Sequence, residues 1–484
     1  MPGNAVYRPL GRSGNGEGGE DGNGRGRAAV GSNDTFQTLL QLFRLYAGTG
    51  ILAFPYAVKC GGLIAAPSFL VIIGALNNYT LRMLVHCKRR VTQDLVGPTP
   101  QTSLDDLAYA AFGVGGRRFC SIAMVVSLLG LCAGYLIFVG NTLRSSFDSP
   151  SWSTMTFLGL DINVCTILAT VVTVPLTLIR NYNRVQWSGI LGNVSLMAAV
   201  AAVAYHVVRH IDDPSVGTAA ARGVKAIDVD GLPIFLGMVF FTFAIQSVVL
   251  SIESAAAEPS HFLTLLDWGG VIGIFIYIVF GCLAYFSFGS ATSQIAFHML
   301  VTRHNFVDIR VVEVLFCLSM VLLYPMQLLP VVQIFERWLG ISAGIPKGGR
   351  SGVNEGQTLH VVSEMEGGDE ADLVEDEKVC AGPGCCRKNT LRIALTIFTG
   401  TLAVLFGDVF SQLLSIVGAL GFSLLSFILP PLIYLRIFGR ELSVIDGAVT
   451  VLIVVIGVGG MILSTWIDAK AIIHYFEGHT ADPC

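Results

Sequence analysis

The chain has 484 residues, of which 53% are hydrophobic and only 13% charged, with a formal net charge of −4. An average soluble domain carries about 25% charged residues, so this composition excludes an ordinary soluble fold. No basic face suggests a nucleic-acid partner. The apolar residues fall into repeated runs of roughly 20, the length that crosses a hydrocarbon core. Runs so continuous, without two-residue alternation, predict helices and exclude a barrel.

In chain order, residues 1–34 are rich in Gly, Asn and Arg and lack an apolar h-region, so they are expected to be a disordered cytosolic arm and not a cleaved signal peptide. Eleven spans are then predicted, near 36–58, 63–85, 119–142, 163–179, 187–208, 232–256, 268–288, 309–334, 391–406, 409–435 and 444–466. They form two blocks, 35–335 with spans 1–8 and 391–466 with spans 9–11. Between the blocks, residues 336–390 run through SGVNEGQ and EMEGGDEADLVEDEK, acidic and without helical periodicity, and are expected to be a disordered cytosolic loop. Residues 467–484 are expected to form a short extracytosolic tail.

Lys and Arg orient the spans. With the N-terminus in the cytosol, 20 of the 30 basic residues fall in cytosolic segments and 8 on the opposite side, with Arg44 and Arg82 inside spans. An odd number of spans then places the C-terminus outside the cytosol. The expected location is integral and multi-pass, in the plasma membrane or in a vacuole or lysosome.

The first span contains Gly48, Thr49 and Gly50, then Pro55. Pro55 removes a backbone donor and clashes with the preceding turn, and the glycines let the chain leave helical geometry and bare its backbone. Two readings follow: a midplane break whose free N–H groups attract a carboxylate, or a close helix–helix contact of small residues.

The sixth span carries Gln246, Ser247, Ser251 and Glu253 in an apolar run. An ionisable residue within a span is costly and suggests function, although Glu253 also fits a solvated interface. Polar breaks in spans 1 and 6 together match the paired discontinuous helices of a LeuT-like inverted repeat. Span 8 carries Glu313 and Gln327, and Gln327 inside an apolar helix needs a protein, water or substrate partner. If proton binding has a role here, Glu253, Glu313 and Asp408 are the titratable candidates, Glu253 foremost. Cys385 and Cys386, beside Arg387 and Lys388, make a juxtamembrane lipidation candidate. The cysteine spacing lacks the ligand pairs of a metal site.

Three pieces, GTGILAFPYAVKCGG at 48–62, YPMQLLP at 324–330 and SIVGALGFSLLSFILPPLIYL at 415–435, resemble the amino acid/auxin permease family, in particular its proton-coupled amino acid transporter-like branch. The resemblance implies an all-α membrane fold of about eleven transmembrane helices, a LeuT-like 5+5 inverted repeat with one helix added. It implies that the backbone of Gly48, Thr49 and Gly50 takes the substrate carboxylate, and that Gln246 to Ser251 face its amino group and side chain. Gln41 stands where that branch has a titratable His, Tyr46 where an Asn is frequent, and Gln246 where an acid is common. The coupling ion, proton or sodium, therefore stays open.

The expected function is secondary active transport of small neutral amino acids, by proton-coupled symport and alternating access. The alternatives are an amino acid sensor on the same fold and sodium-coupled symport. No cofactor beyond the ion gradient is expected, and no enzymatic constellation is visible. The expected partners are the amino acid and the lipid bilayer.

Overall fold

In an apolar solvent each backbone N–H and C=O needs a partner within the chain, and helix supplies it locally. Among the described residues the computed structural model is accordingly helical, with no β-strand. Those residues are 35–46, 49–94, 103–147, 162–179, 182–211, 223–243, 245–292, 307–340, 383–439 and 441–476. The expected N-terminal arm and residues 341–382 of the expected acidic loop lie outside them.

The helices are α1 (Thr35–Tyr46), α2 (Phe54–Gly61), α3 (Ala65–Asp94), α4 (Leu104–Phe147), α5 (Ile162–Thr177), α6 (Tyr182–Ile211), α7 (Leu232–Thr242) and α8 (Gln246–Ala255). They continue as α9 (Phe262–Phe288), α10 (Val307–Trp338), α11 (Pro383–Phe406), α12 (Phe410–Ile416), α13 (Leu429–Phe438) and α14 (Val444–Phe476). Among the described residues eight helical stretches are long and apolar enough to cross a membrane, and two shorter apolar helices lie at 163–177 and 194–208. The first predicted span is divided between α1 and α2, the sixth between α7 and α8, and the tenth between α12 and α13.

Several boundaries differ from the sequence reading: α3 runs on to Asp94 past the expected 85, and α9 starts at Phe262, ahead of 268. Helix α4 includes a leading piece, Leu104–Phe112, merged across a kink at Gly113, whose φ of 67° suits glycine. Helix α11 starts at Pro383, ahead of the span expected from 391, because the polar turn CCRKNT is still helical. Helix α14 runs to Phe476, so residues 467–476, expected in the tail, belong to the last helix.

Helix α7 lies at the centre. It is apolar all round and buried along nearly its whole length, the pattern of a helix with neighbours on every side. Its backbone meets the segment after α12 with no side chain between them: a Cβ on Gly418 would fall 2.0 Å from the Gly237 carbonyl oxygen. Residues Val417–Phe422 and Leu424–Ile428 form wide π turns, a distortion frequent at functional sites. Helices α9 and α14 sit at the periphery, turning Val271, Phe275, Val455 and Ile462 outward, as lipid-facing helices do.

Candidate functional site

The first break is built by its sequence. Helix α1 stops at Tyr46, Thr49–Leu52 make one 3-10 turn, and α2 restarts at Phe54 with Pro55 in its first turn, where a missing N–H costs nothing. Ala53 at the start of α2 offers no side-chain cap. The second break follows Thr242: the Ile245 N–H donates to the Phe243 carbonyl across 2.9 Å, and α8 restarts at Gln246, again without a side-chain cap. At neither start does the side chain of the capping residue take up a first-turn N–H, and each start carries the positive end of a helix dipole.

The two breaks face each other. A Cβ on Gly50 would lie 3.2 Å from Thr242 Oγ1 and 3.4 Å from the Tyr277 hydroxyl of α9. Gly50, Ala53, Phe54 and Ala57, with Met238, Phe241 and Thr242 of α7 and Leu414 of α12, line a narrow cleft. It has room for about one water molecule, so the described parts of the two segments lie close against one another. Among the described residues the buried Tyr277 hydroxyl finds no hydrogen-bond partner, although its ring is held edge-on to Phe54 at 5.0 Å. Buried hydroxyls without a partner are rare, and this one sits against Gly50.

Beside the breaks, α3 is the organising helix. Asn77 Oδ1 accepts from Gln246 Nε2 at 2.6 Å, leaving Asn77 Nδ2 and Gln246 Oε1 buried and unsatisfied. One residue on, Asn78 accepts from the Tyr46 hydroxyl at 3.2 Å and donates to Asp267 of α9 at 2.6 Å, and Arg82 pairs with the same Asp267. Further along, the Glu253 carboxylate of α8 lies 3.2 Å from Lys88 Nζ and 2.9 Å from Arg89 Nε. Lys88 also donates to the Leu250 carbonyl and to Ser254 Oγ.

Of the residues singled out by sequence, Gly48 lies outside the described residues; Thr49 stands in the 3-10 turn, and Gly50 is buried beside the cleft. Gln246 is buried and turned toward Asn77; Ser247 and Ser251 are half-buried on α8. Gln327 is half-buried and Glu313 buried on α10. Asp408 belongs to the turn Gly407–Val409, its side chain outside the described residues, as is that of Cys385. Cys386 is an exposed free thiol. Glu253 does not stand in solvent at an interface: it is 5% exposed and bridges α3 and α8.

Sequence reasoning missed Asn77, Asn78, Tyr277 and Asp468. The two asparagines interrupt an apolar run and were open to detection; a tyrosine in a span carries no such signal. Asp468 escaped because the eleventh span was ended before it.

Comparison with known proteins places the chain. The family model described as transmembrane amino acid transporter protein matches residues 32–469. The chain is 26% identical over 446 residues to the amino acid transporter AVT3C of Arabidopsis thaliana, covering 89% of each. It is 23% identical over 309 residues to vacuolar amino acid transporter 4 of Saccharomyces cerevisiae, 64% of this chain and 41% of that one. The vesicular inhibitory amino acid transporter of Xenopus laevis is 26% identical over 413 residues, 82% of this chain and 68% of that protein. Among solved structures, MhsT in complex with L-phenylalanine aligns with a TM-score of 0.51 at 11% identity, covering 89% of this chain and 98% of that one. A substrate-bound, outward-open Na+-coupled sialic acid symporter aligns at 0.50 and 12% identity, covering 92% and 91%. These structural neighbours share the LeuT fold, so the fold expected from the paired broken helices is the one found.

Proposed function

The chain belongs to the transmembrane amino acid transporter protein family, and on that premise we propose that it is a secondary active transporter of small neutral amino acids. It is an integral multi-pass membrane protein that transports amino acids and not an enzyme; the mode, the driving ion and the substrate range are the proposal. One observation carries it: the interruptions of the first and sixth segments face each other, each followed by a helix start whose N–H groups lack a side-chain cap. Such a pair binds a carboxylate through backbone and dipole. The lining of Ala53, Ala57, Met238, Phe241 and Leu414 carries no charge, which favours a neutral, short side chain.

Because the cleft is this narrow, binding requires α1–α2 and α7–α8 to part, and alternating access follows from which end opens. With the N-terminus in the cytosol, the Glu253 bridge to Lys88 and Arg89 closes the cytosolic end. Cys60, at the other end of α2, is disulfide-bonded, and such bonds persist where the compartment is oxidising. That supports an extracytosolic or lumenal position for the end of α2. A vacuolar or lysosomal membrane is the preferred location, in line with the name of the Saccharomyces cerevisiae relative.

The test is uptake of a panel of labelled amino acids into proteoliposomes, with pH and sodium gradients imposed separately. Saturable uptake of small neutral amino acids, driven by the pH gradient, is expected. Failure of every amino acid to exchange across the membrane would end the reading; stimulation by sodium alone would replace the driving ion.

A further inference from the structure

We propose that Asp468 of α14 is a proton-binding group whose charge state controls how α7 is held against α12, an inference that rests on the transporter reading above. Asp468 is wholly buried. Its Oδ2 lies 2.6 Å from Ser415 Oγ of α12, and its Oδ1 has no partner among the described residues. Among the described residues no Lys, Arg or His forms an ion pair with it, although a buried charge ordinarily has one.

The surroundings count protons. Ser415 has one hydroxyl hydrogen and two acceptors in reach, Asp468 Oδ2 at 2.6 Å and the Ile234 carbonyl of α7 at 3.2 Å. With Asp468 neutral, its O–H donates to Ser415 Oγ and the serine O–H donates to Ile234, so one chain of donors joins α14, α12 and α7. When the proton leaves for water, the serine hydrogen turns to the carboxylate and the Ile234 carbonyl loses that bond. No covalent bond other than the acid O–H is made or broken. One turn earlier on α14, Ser464 donates to the Pro233 carbonyl at 2.5 Å, so the clasp closes on the opening turn of α7. Met238, one turn along α7, and Leu414, next to Ser415, line the cleft; the clasp therefore adjoins the binding site.

The elements packed against Asp468 carry few titratable groups, and His474 and Tyr475, about two turns further along α14, have side chains outside the described residues. Helices α7 and α12 and the π turns contain no ionisable side chain. On α14, Lys470 lies over the Trp466 ring at 5.0 Å, and Asp446 is about 33 Å away along the helix. On α13, Tyr434 interacts with Asp446 at that far end and Arg436 donates to the Ala111 carbonyl. Asp408 precedes α12, its side chain outside the described residues.

The test uses the full chain in proteoliposomes and compares wild type, Asp468→Asn, Ser415→Ala and, as control, Lys470→Gln. Two rates are read: exchange of labelled amino acid at equal pH across a range of pH, and net uptake driven by a pH gradient. Asp468→Asn is expected to continue exchanging with a flat pH profile, its gradient stimulation falling about tenfold, the equivalent of one pH unit. Ser415→Ala is expected to shift the pH midpoint, and Lys470→Gln to behave as wild type. An Asp468→Asn protein with the wild-type pH profile overturns the proposal and leaves the transporter reading standing, as does a wild type indifferent to pH. No exchange in wild type overturns the reading itself. Should Asp468→Asn not survive purification, Asp468→Glu serves, and an unmoved midpoint there is equally fatal.

Discussion

Gln246, the first residue of α8, donates from Nε2 to Oδ1 of Asn77 on α3 across 2.6 Å, and both amides keep one buried, unsatisfied atom. The restart of the sixth segment is thus tied to α3 by a half-used pair of amides. An amide offers two donors and two acceptor sites, so the pair has capacity left for a ligand at the break.

Asn77→Ala and Gln246→Ala are each expected to lower thermal stability in detergent, by about 1–3 kcal/mol, because each strands a buried polar group. The double variant should cost less than the two losses added. Fully additive losses in the melting curves would show that the two amides do not interact.

Tyr277→Phe separates binding from folding. The hydroxyl has no partner among the described residues, so its loss should leave the melting temperature unchanged or raise it. If it bonds the bound amino acid, the exchange constant should weaken about tenfold, the worth of one hydrogen bond near 1.4 kcal/mol. A normal constant would remove Tyr277 from the site.

Gly50→Val tests the approach of the two breaks. Even a single Cβ at this position is 3.2 Å from Thr242 Oγ1, and the further methyls of valine have no room. Net uptake is expected to be abolished, with Gly50→Ala intermediate; wild-type rates for Gly50→Val would show that the segments need not close.

Glu253→Gln leaves Lys88 and Arg89 facing a neutral side chain. Removing one partner of a buried ion pair costs about 3–5 kcal/mol, and the 33% exposure of Arg89 places this case below that range through solvent screening. Lowered stability and accelerated leak of the amino acid are expected, with partial rescue by exchanging charges in Glu253→Lys with Lys88→Glu. Pairing matters more than proton binding at this position if Asp468→Asn, and not Glu253→Gln, removes the pH response.

Much of this architecture was legible without coordinates, for a physical reason. Lipid requires long apolar runs, and departures from them are costly enough to stand out: Gly48 through Pro55 announced the first interruption, and Gln246 marked the restart of the second. The pairings were not legible. Nothing in the spacing of Glu253 says that Lys88 and Arg89 lie opposite it, since that depends on how α3 and α8 pack. Asp468 was hidden by a boundary: an acid near the end of an apolar run reads as the edge of water until the helix is seen to continue through it to Phe476.

The last helix is bonded to α7 through Ser464 and Pro233, while most of its surface turns outward. It is therefore expected to move with the sixth segment. Spin labels placed on the outward faces of α14 and of α7's neighbours would keep the α14–α7 separation constant through a turnover, while α14 and α3 drift apart and return. A last helix of this kind gives the surrounding lipid a grip on one of the segments that the proposed cycle has to move.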